Sequence, residues 1–194
     1  GLASLRIEAL RVGANMSTLA VRLEQGGEVL AHGVGVLGTA RENVVDRLAL
    51  TPPTLGDWRQ LEVLPVGPPL APDFSRFFEF RSTSFPFSQT RPEVTGWVRP
   101  HHPGATRDAA FLAGCIDSYW PTELMVLQAP RPMATVAFTF QPFVDFAGLD
   151  ASAPVFFRSS LAAARAGFAV EYRELWGHDG RLLALNQQTM CTIK

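Results

Sequence analysis

Alternating apolar and polar positions at both ends of the chain predict strands. Residues 4–12 (SLRIEALRV) and 16–24 (MSTLAVRLE) carry partial period-two patterning around Gly13, and Gly26-Gly27 turns the chain into 28–37 (EVLAHGVGVL). This predicts an antiparallel meander. Further strands are predicted over 77–82 (FFEFRS), 95–100 (TGWVRP), 134–143, 154–164, 167–176 and 181–192. The best helical pattern follows the turn HHPG: Thr106 is a candidate cap, Asp108 suits the first turn, and Ala109, Leu112, Ala113, Ile116 and Trp120 form one apolar stripe. Pro121 should end or kink it.

The last part of the chain echoes the first. Gly13 to Ala31 (GANMSTLAVRLEQGGEVLA) recurs, one residue shorter, as Gly167 to Ala184 (GFAVEYRELWGHDGRLLA). The second copy has a full unit in front of it, with two strands and a helix from Arg76 onward, whereas the first has only residues 1–12. The division expected is the back part of one unit over 1–40, a Pro-rich connector over 41–75 held by Trp58 and its neighbouring leucines, and a complete unit over 76–194. An N-terminus upstream of Gly1 is expected, since the sequence opens directly in strand pattern. The fold class is α+β, with one helix wrapped by a curved antiparallel sheet.

Hydrophobic residues make up 47% and charged residues 18%, a globular composition without the roughly 18-residue apolar run of a membrane span. Net charge is −1, and the cations are scattered arginines with Lys194 the only lysine, so no stripe tracks a phosphate backbone and nucleic acid is not expected as a partner. Cys115 and Cys191 lack metal-site or redox spacing and read as free thiols in a reducing cytoplasm.

Three local patterns carry a resemblance: an Asp followed by Pro at the helix (CIDSYWPTEL, 115–124), a strand opening Met-Ala-Thr (MATVAFTF, 133–140), and a last strand reading DGRLLALNQQ (179–188). Together they resemble the acyl-CoA thioesterase II family and the wider thioesterase-like double-hotdog group, well over 76–194 and more loosely over 1–37. The resemblance implies a double hotdog whose first copy lacks its front, helix included, leaving a sheet edge that upstream residues or another chain would cover. It implies hydrolysis of acyl-CoA to free fatty acid and CoA, with Asp117, Thr135 and Gln188 orienting the attacking water. No cofactor or metal is called for, and a homo-oligomer through the hotdog sheets is compatible with it.

The residues themselves support this chemistry to differing degrees. Asp117 lies on the flank of the apolar stripe near the helix C-terminus, where a carboxylate is electrostatically disfavoured. One of Gln187 and Gln188 must point inward from an otherwise apolar strand, either to a site or to a buried backbone group. Thr135 is an ordinary strand residue that alternation places with Ala137, Thr139 and Gln141.

Other candidates read as structural. His101 and His102 sit in a turn sequence, Ser118 lacks a G-x-S-x-G context, Cys115 reads as packing, and Asp145 and Asp150 flank a turn. Phe77, Phe78, Phe80, Phe138, Phe140, Phe156 and Phe157 supply core, and beside Ala109, Ala110, Ala113 and Gly114 some of them could line an acyl slot. Two other readings remain open. One is an acyl-binding protein without chemistry; the other is a hotdog dehydratase or hydratase, which would need a catalytic His that this helix does not supply.

Overall fold

A computed structural model describes residues 1–42, 45–87, 91–150 and 152–193. Lys194 and part of the stretch SFPFSQTRPE lie outside them. The chain divides into two compact units, Gly1–Ala49 and Leu50–Lys194.

The first unit is a three-stranded antiparallel meander of β1 (Ser4–Val12), β2 (Met16–Gln25) and β3 (Glu28–Gly38). Gly26 and Gly27 turn β2 into β3 with φ of 61° and 86°, a conformation that glycine adopts without steric cost. Leu5, Ile7, Val34 and Val36 remain exposed along this sheet.

The second unit holds β4 (Phe78–Arg81), β5 (Glu93–Pro100), α1 (Ala109–Asp117), β6 (Met133–Pro142), β7 (Val155–Arg165), β8 (Phe168–Trp176) and β9 (Leu182–Thr192). Its six-stranded sheet has the order β4-β5-β7-β8-β9-β6, antiparallel at every pairing. Leu112, Cys115 and Ile116 of α1 pack into a core with Phe80, Val94, Val98, Phe157, Leu175 and Leu183. The helix departs from expectation at both ends. Its cap is Asp108, whose carboxylate accepts from the Phe111 N–H at 3.0 Å; Thr106 does not cap it, because the chain enters the helical turn two residues later. It ends at Asp117 with Ser118 as C-cap, so Trp120 lies beyond the helix and Pro121 instead precedes a short 3-10 turn, Thr122–Met125.

Immediately past the helix, Tyr119 stacks on Phe157 (4.4 Å, 9°) and meets Phe80 edge-on (5.1 Å), contacts favoured by the ring quadrupoles. Its hydroxyl donates to the Trp97 carbonyl at 3.0 Å. That approach requires Gly96: a Cβ there would collide with the Tyr119 hydroxyl and lie 2.7 Å from the Arg81 carbonyl oxygen. Gly96→Ala should therefore destabilise the protein by about 1–3 kcal/mol through overpacking, read as a lower denaturation midpoint in urea; an unchanged midpoint would mean that β4 and β5 can spread apart freely.

The Pro-rich segment from Leu50 onward packs on the second unit. Leu50, Leu55, Trp58 and Leu61 cover Trp97, Phe156 and Trp176, while Leu64 and Val66 join the main core. The Arg81 and Arg99 guanidiniums lie over the Trp58 ring at 5.0 and 4.9 Å, a cation–π arrangement. Both arginines also hold Glu79. Burial would raise the Glu79 pKa, but their hydrogen bonds and charges outweigh it and hold the carboxyl below its ordinary range.

Candidate active site

The inner face of the sheet carries a polar island. On β8 the alternation of AVEYREL turns Ala169, Glu171, Arg173 and Leu175 inward, and on β9 Ala184, Asn186, Gln188 and Met190 face the same way. Glu171 and Gln188 are direct cross-strand partners, as are Arg173 and Asn186. Four polar residues thus occupy positions an apolar core would otherwise fill, and each must find partners there.

Gln188, 1% exposed, supplies the central link. Its Nε2 donates to Asp117 Oδ1 at 2.9 Å and to Thr135 Oγ1 at 2.7 Å. The three side chains named from the sequence are therefore joined through Gln188, brought from the end of α1, from β6 and from β9. Thr135 arrives by a route that simple alternation misses. A β-bulge between Thr135 and Ala137 lets Thr135 pair with Met190 while Ala137 pairs with Thr189. The extra residue, Val136, puts Thr135 on the face of Phe138 and Phe140 instead of that of Ala137, Thr139 and Gln141.

The chemistry of this contact follows from donor counting. Both amide hydrogens of Gln188 are used; Thr135 accepts one and directs its own hydroxyl hydrogen at Met190 Sδ at 3.5 Å, a weak acceptor from which a water or oxyanion can draw it. The Gln188 Oε1 is buried without a partner among the described residues. Asp117 is half-exposed, at 51% for its side chain, and its second carboxylate oxygen is available to a water or ligand. Desolvation raises the Asp117 pKa; Arg173 and the Gln188 hydrogen bond pull it down, Glu171 pushes it up, and the result lies above the ordinary 3.8. A carboxylate raised toward the working pH is a better proton acceptor than an unperturbed one.

An open cleft of about 410 Å³ meets these groups, lined by Phe74, Phe78, Ala113, Gly114, Asp117, Ser118, Thr135 and Phe138. It is mostly apolar, with the carboxylate and two hydroxyls at its wall. Of the phenylalanines, Phe80 and Phe157 are fully buried core, whereas Phe78 and Phe138 reach this cleft.

The remaining candidates take structural places. Cys115 is buried, and burial pushes its thiol up to about 12, so it stays protonated. The Ser118 hydroxyl donates to the Cys115 carbonyl at 2.8 Å and satisfies the helix end. His101 and His102 are exposed on a bend. Among the described residues no group of three His, Cys, Asp or Glu side chains could hold a metal ion, and no helix is long and apolar enough to cross a membrane.

Sequence reasoning missed Arg173 and Glu171. Arg173 is 1% exposed and Glu171 fully buried; Arg173 Nε donates to Glu171 Oε1 at 2.6 Å, and Glu171 Oε2 accepts from the Thr122 N–H at 2.6 Å. The available signal was the period-two pattern of β8, which puts both charges on the face of Ala169 and Leu175.

Similar folds occur in solved structures. A hotdog-fold protein of unknown function from Alicyclobacillus acidocaldarius superposes with a TM-score of 0.84 at 24% identity, over 97% of this chain and 72% of its own. A candidate thioesterase II from Thermobifida fusca YX gives 0.80 at 22%, over 99% and 73%. The acyl-CoA thioesterase II TesB2 from Mycobacterium marinum gives 0.68 at 16%, over 98% and 73%. At these identities the likeness establishes the hotdog fold, here one hotdog plus an N-terminal three-stranded sheet. No curated protein matches the chain by sequence. Residues 47–192 match the model of the acyl-CoA thioesterase C-terminal domain, most of the chain and the whole of the site described above, and the chain therefore belongs to that family.

Proposed function

We propose that the protein hydrolyses acyl-CoA thioesters with a water held between Asp117 and Thr135. The observation that carries this reading is the Gln188 amide donating at once to Asp117 and Thr135, which sets a carboxylate and a hydroxyl at the wall of an apolar cleft. Water attacks the thioester carbonyl carbon as Asp117 takes its proton. A tetrahedral intermediate forms, with the Thr135 hydroxyl as a donor toward the water or the developing oxyanion. The C–S bond then breaks, and the proton on Asp117 passes to the leaving CoA sulfur. The products are a carboxylic acid and CoA thiol, with no covalent enzyme intermediate.

The apolar wall of Phe74, Phe78, Ala113, Gly114 and Phe138 suits the acyl chain. Residues 1–40 are read as the tail of a first hotdog, 41–75 as a connector and 76–194 as the second hotdog, in a cytoplasmic double-hotdog protein whose sheets can also join copies. The test is release of free thiol from short- to long-chain acyl-CoA esters by the purified protein. Turnover with a preferred chain length is expected. A folded protein that binds these esters without releasing thiol would refute the hydrolytic reading and leave acyl binding alone.

A further inference from the structure

The hydrolytic scheme leaves Arg173 without a task. A guanidinium satisfied by Glu171 alone would be an ion pair between neighbours on one strand face, and such buried pairs add little net stability over apolar residues of the same volume. Arg173 does more than pair. While its Nε and Nη2 hold Glu171, its Nη1 donates to the Ile116 carbonyl at 3.0 Å and lies 3.5 Å from Asp117 Oδ1. The Ile116 carbonyl is one of the unsatisfied acceptors at the end of α1, where the helix dipole is negative. Glu171 in turn holds the Thr122 N–H just past the helix.

We propose that Arg173 is a positioning residue for Asp117: locked from behind by Glu171, its fork ties the last turn of the helix and the Asp117 carboxylate to the sheet, so that the acid faces Gln188 and Thr135 in its ionised form. The groups that face Asp117 are Arg173 and Glu171 from β8, the neutral amide of Gln188 from β9, and the hydroxyl of Thr135 beyond that amide on β6. Of these only Arg173 brings positive charge, and it does so against a helix end that repels a carboxylate. The guanidinium suits the task because its rigid planar fork reaches Glu171, the Ile116 carbonyl and Asp117 in fixed directions, whereas an ammonium concentrates its three rotatable donors on one atom.

This inference rests on the reading of Asp117 as the base, and the test separates the two. The Asp117 carboxyl carbon is titrated by NMR, assigned through its loss in Asp117→Asn, in the parent and in Glu171→Gln/Arg173→Met, which removes both buried charges together. The pH profile of kcat/KM is recorded alongside. In the double variant the Asp117 midpoint is expected to rise, by less than about one pH unit, because in the parent the Arg173 charge lowers it by more than the Glu171 charge raises it. The acid limb of kcat/KM should move with it, and kcat should fall about tenfold above the limb with little change in KM. Should the double variant fold poorly, Arg173→Lys keeps a cation for Glu171 but releases the other contacts, and a smaller rise is expected. An unchanged midpoint in either folded variant overturns the proposal. The titration needs no turnover, so a parent protein that releases no thiol would sink the hydrolytic scheme while the midpoint still decides the role of Arg173.

Discussion

Asp117→Asn is expected to lower kcat/KM for acyl-CoA hydrolysis by about 100-fold or more, the scale of a positioned acid–base group. The substitution is close to isosteric, and its side-chain oxygen can still accept from Gln188 Nε2, so the link to Thr135 survives and the loss falls on proton transfer. The acid limb of the parent's pH profile should lie above the ordinary carboxylate value of 3.8, since desolvation outweighs the pull of Arg173 and Gln188. In the Asn variant that limb should vanish. Stability should move the other way. A carboxyl whose folded pKa is raised favours the folded state below its unfolded pKa, and that contribution is lost as pH rises through the folded value. The variant should therefore melt above the parent at neutral pH, with the advantage fading toward acid. Retention of more than about a tenth of the activity would mean that another group takes the proton.

Arg173→Met alone should cost about 3–5 kcal/mol of stability at neutral pH, because it leaves Glu171 as an uncompensated charge in a fully buried position. This is a large share of the roughly 5–15 kcal/mol that holds a domain folded. The loss should depend on pH in a defined direction. A buried carboxylate without its cation costs most when charged, so the deficit against the parent grows as pH rises. Adding Glu171→Gln should recover much of the loss. Urea unfolding of the three proteins at acid and neutral pH measures all of this; a deficit under about 1 kcal/mol at both would show that water reaches the pair.

Of the elements, those made by local rules were legible. Strands β1 to β3 and β7 to β9 follow from period-two patterning and glycine turns, and Gln188, not Gln187, faces inward by the same alternation. The helix was legible in place but not in length. Thr106 and Asp108 can both cap, and the extended backbone at Asp108 (φ −140°, ψ −171°) decides between them. The face of Thr135 was not legible, because the bulge at Val136 exists only in the pairing of β6 with β9.

By itself the sequence determined which residues could strand, turn and coil, and it carried the local patterns around Asp117, Thr135 and Gln188 on which the resemblance rests. Only the tertiary structure decided that Gln188 bridges Asp117 and Thr135, and that Arg173 stands behind the acid. The physical reason is range. Patterning and capping act over a few residues, whereas these contacts join groups 53 to 71 positions apart in the chain. Their partners are set by which strands pair and in what register, and a buried charge such as Arg173 or Glu171 is tolerable only once those partners are in place.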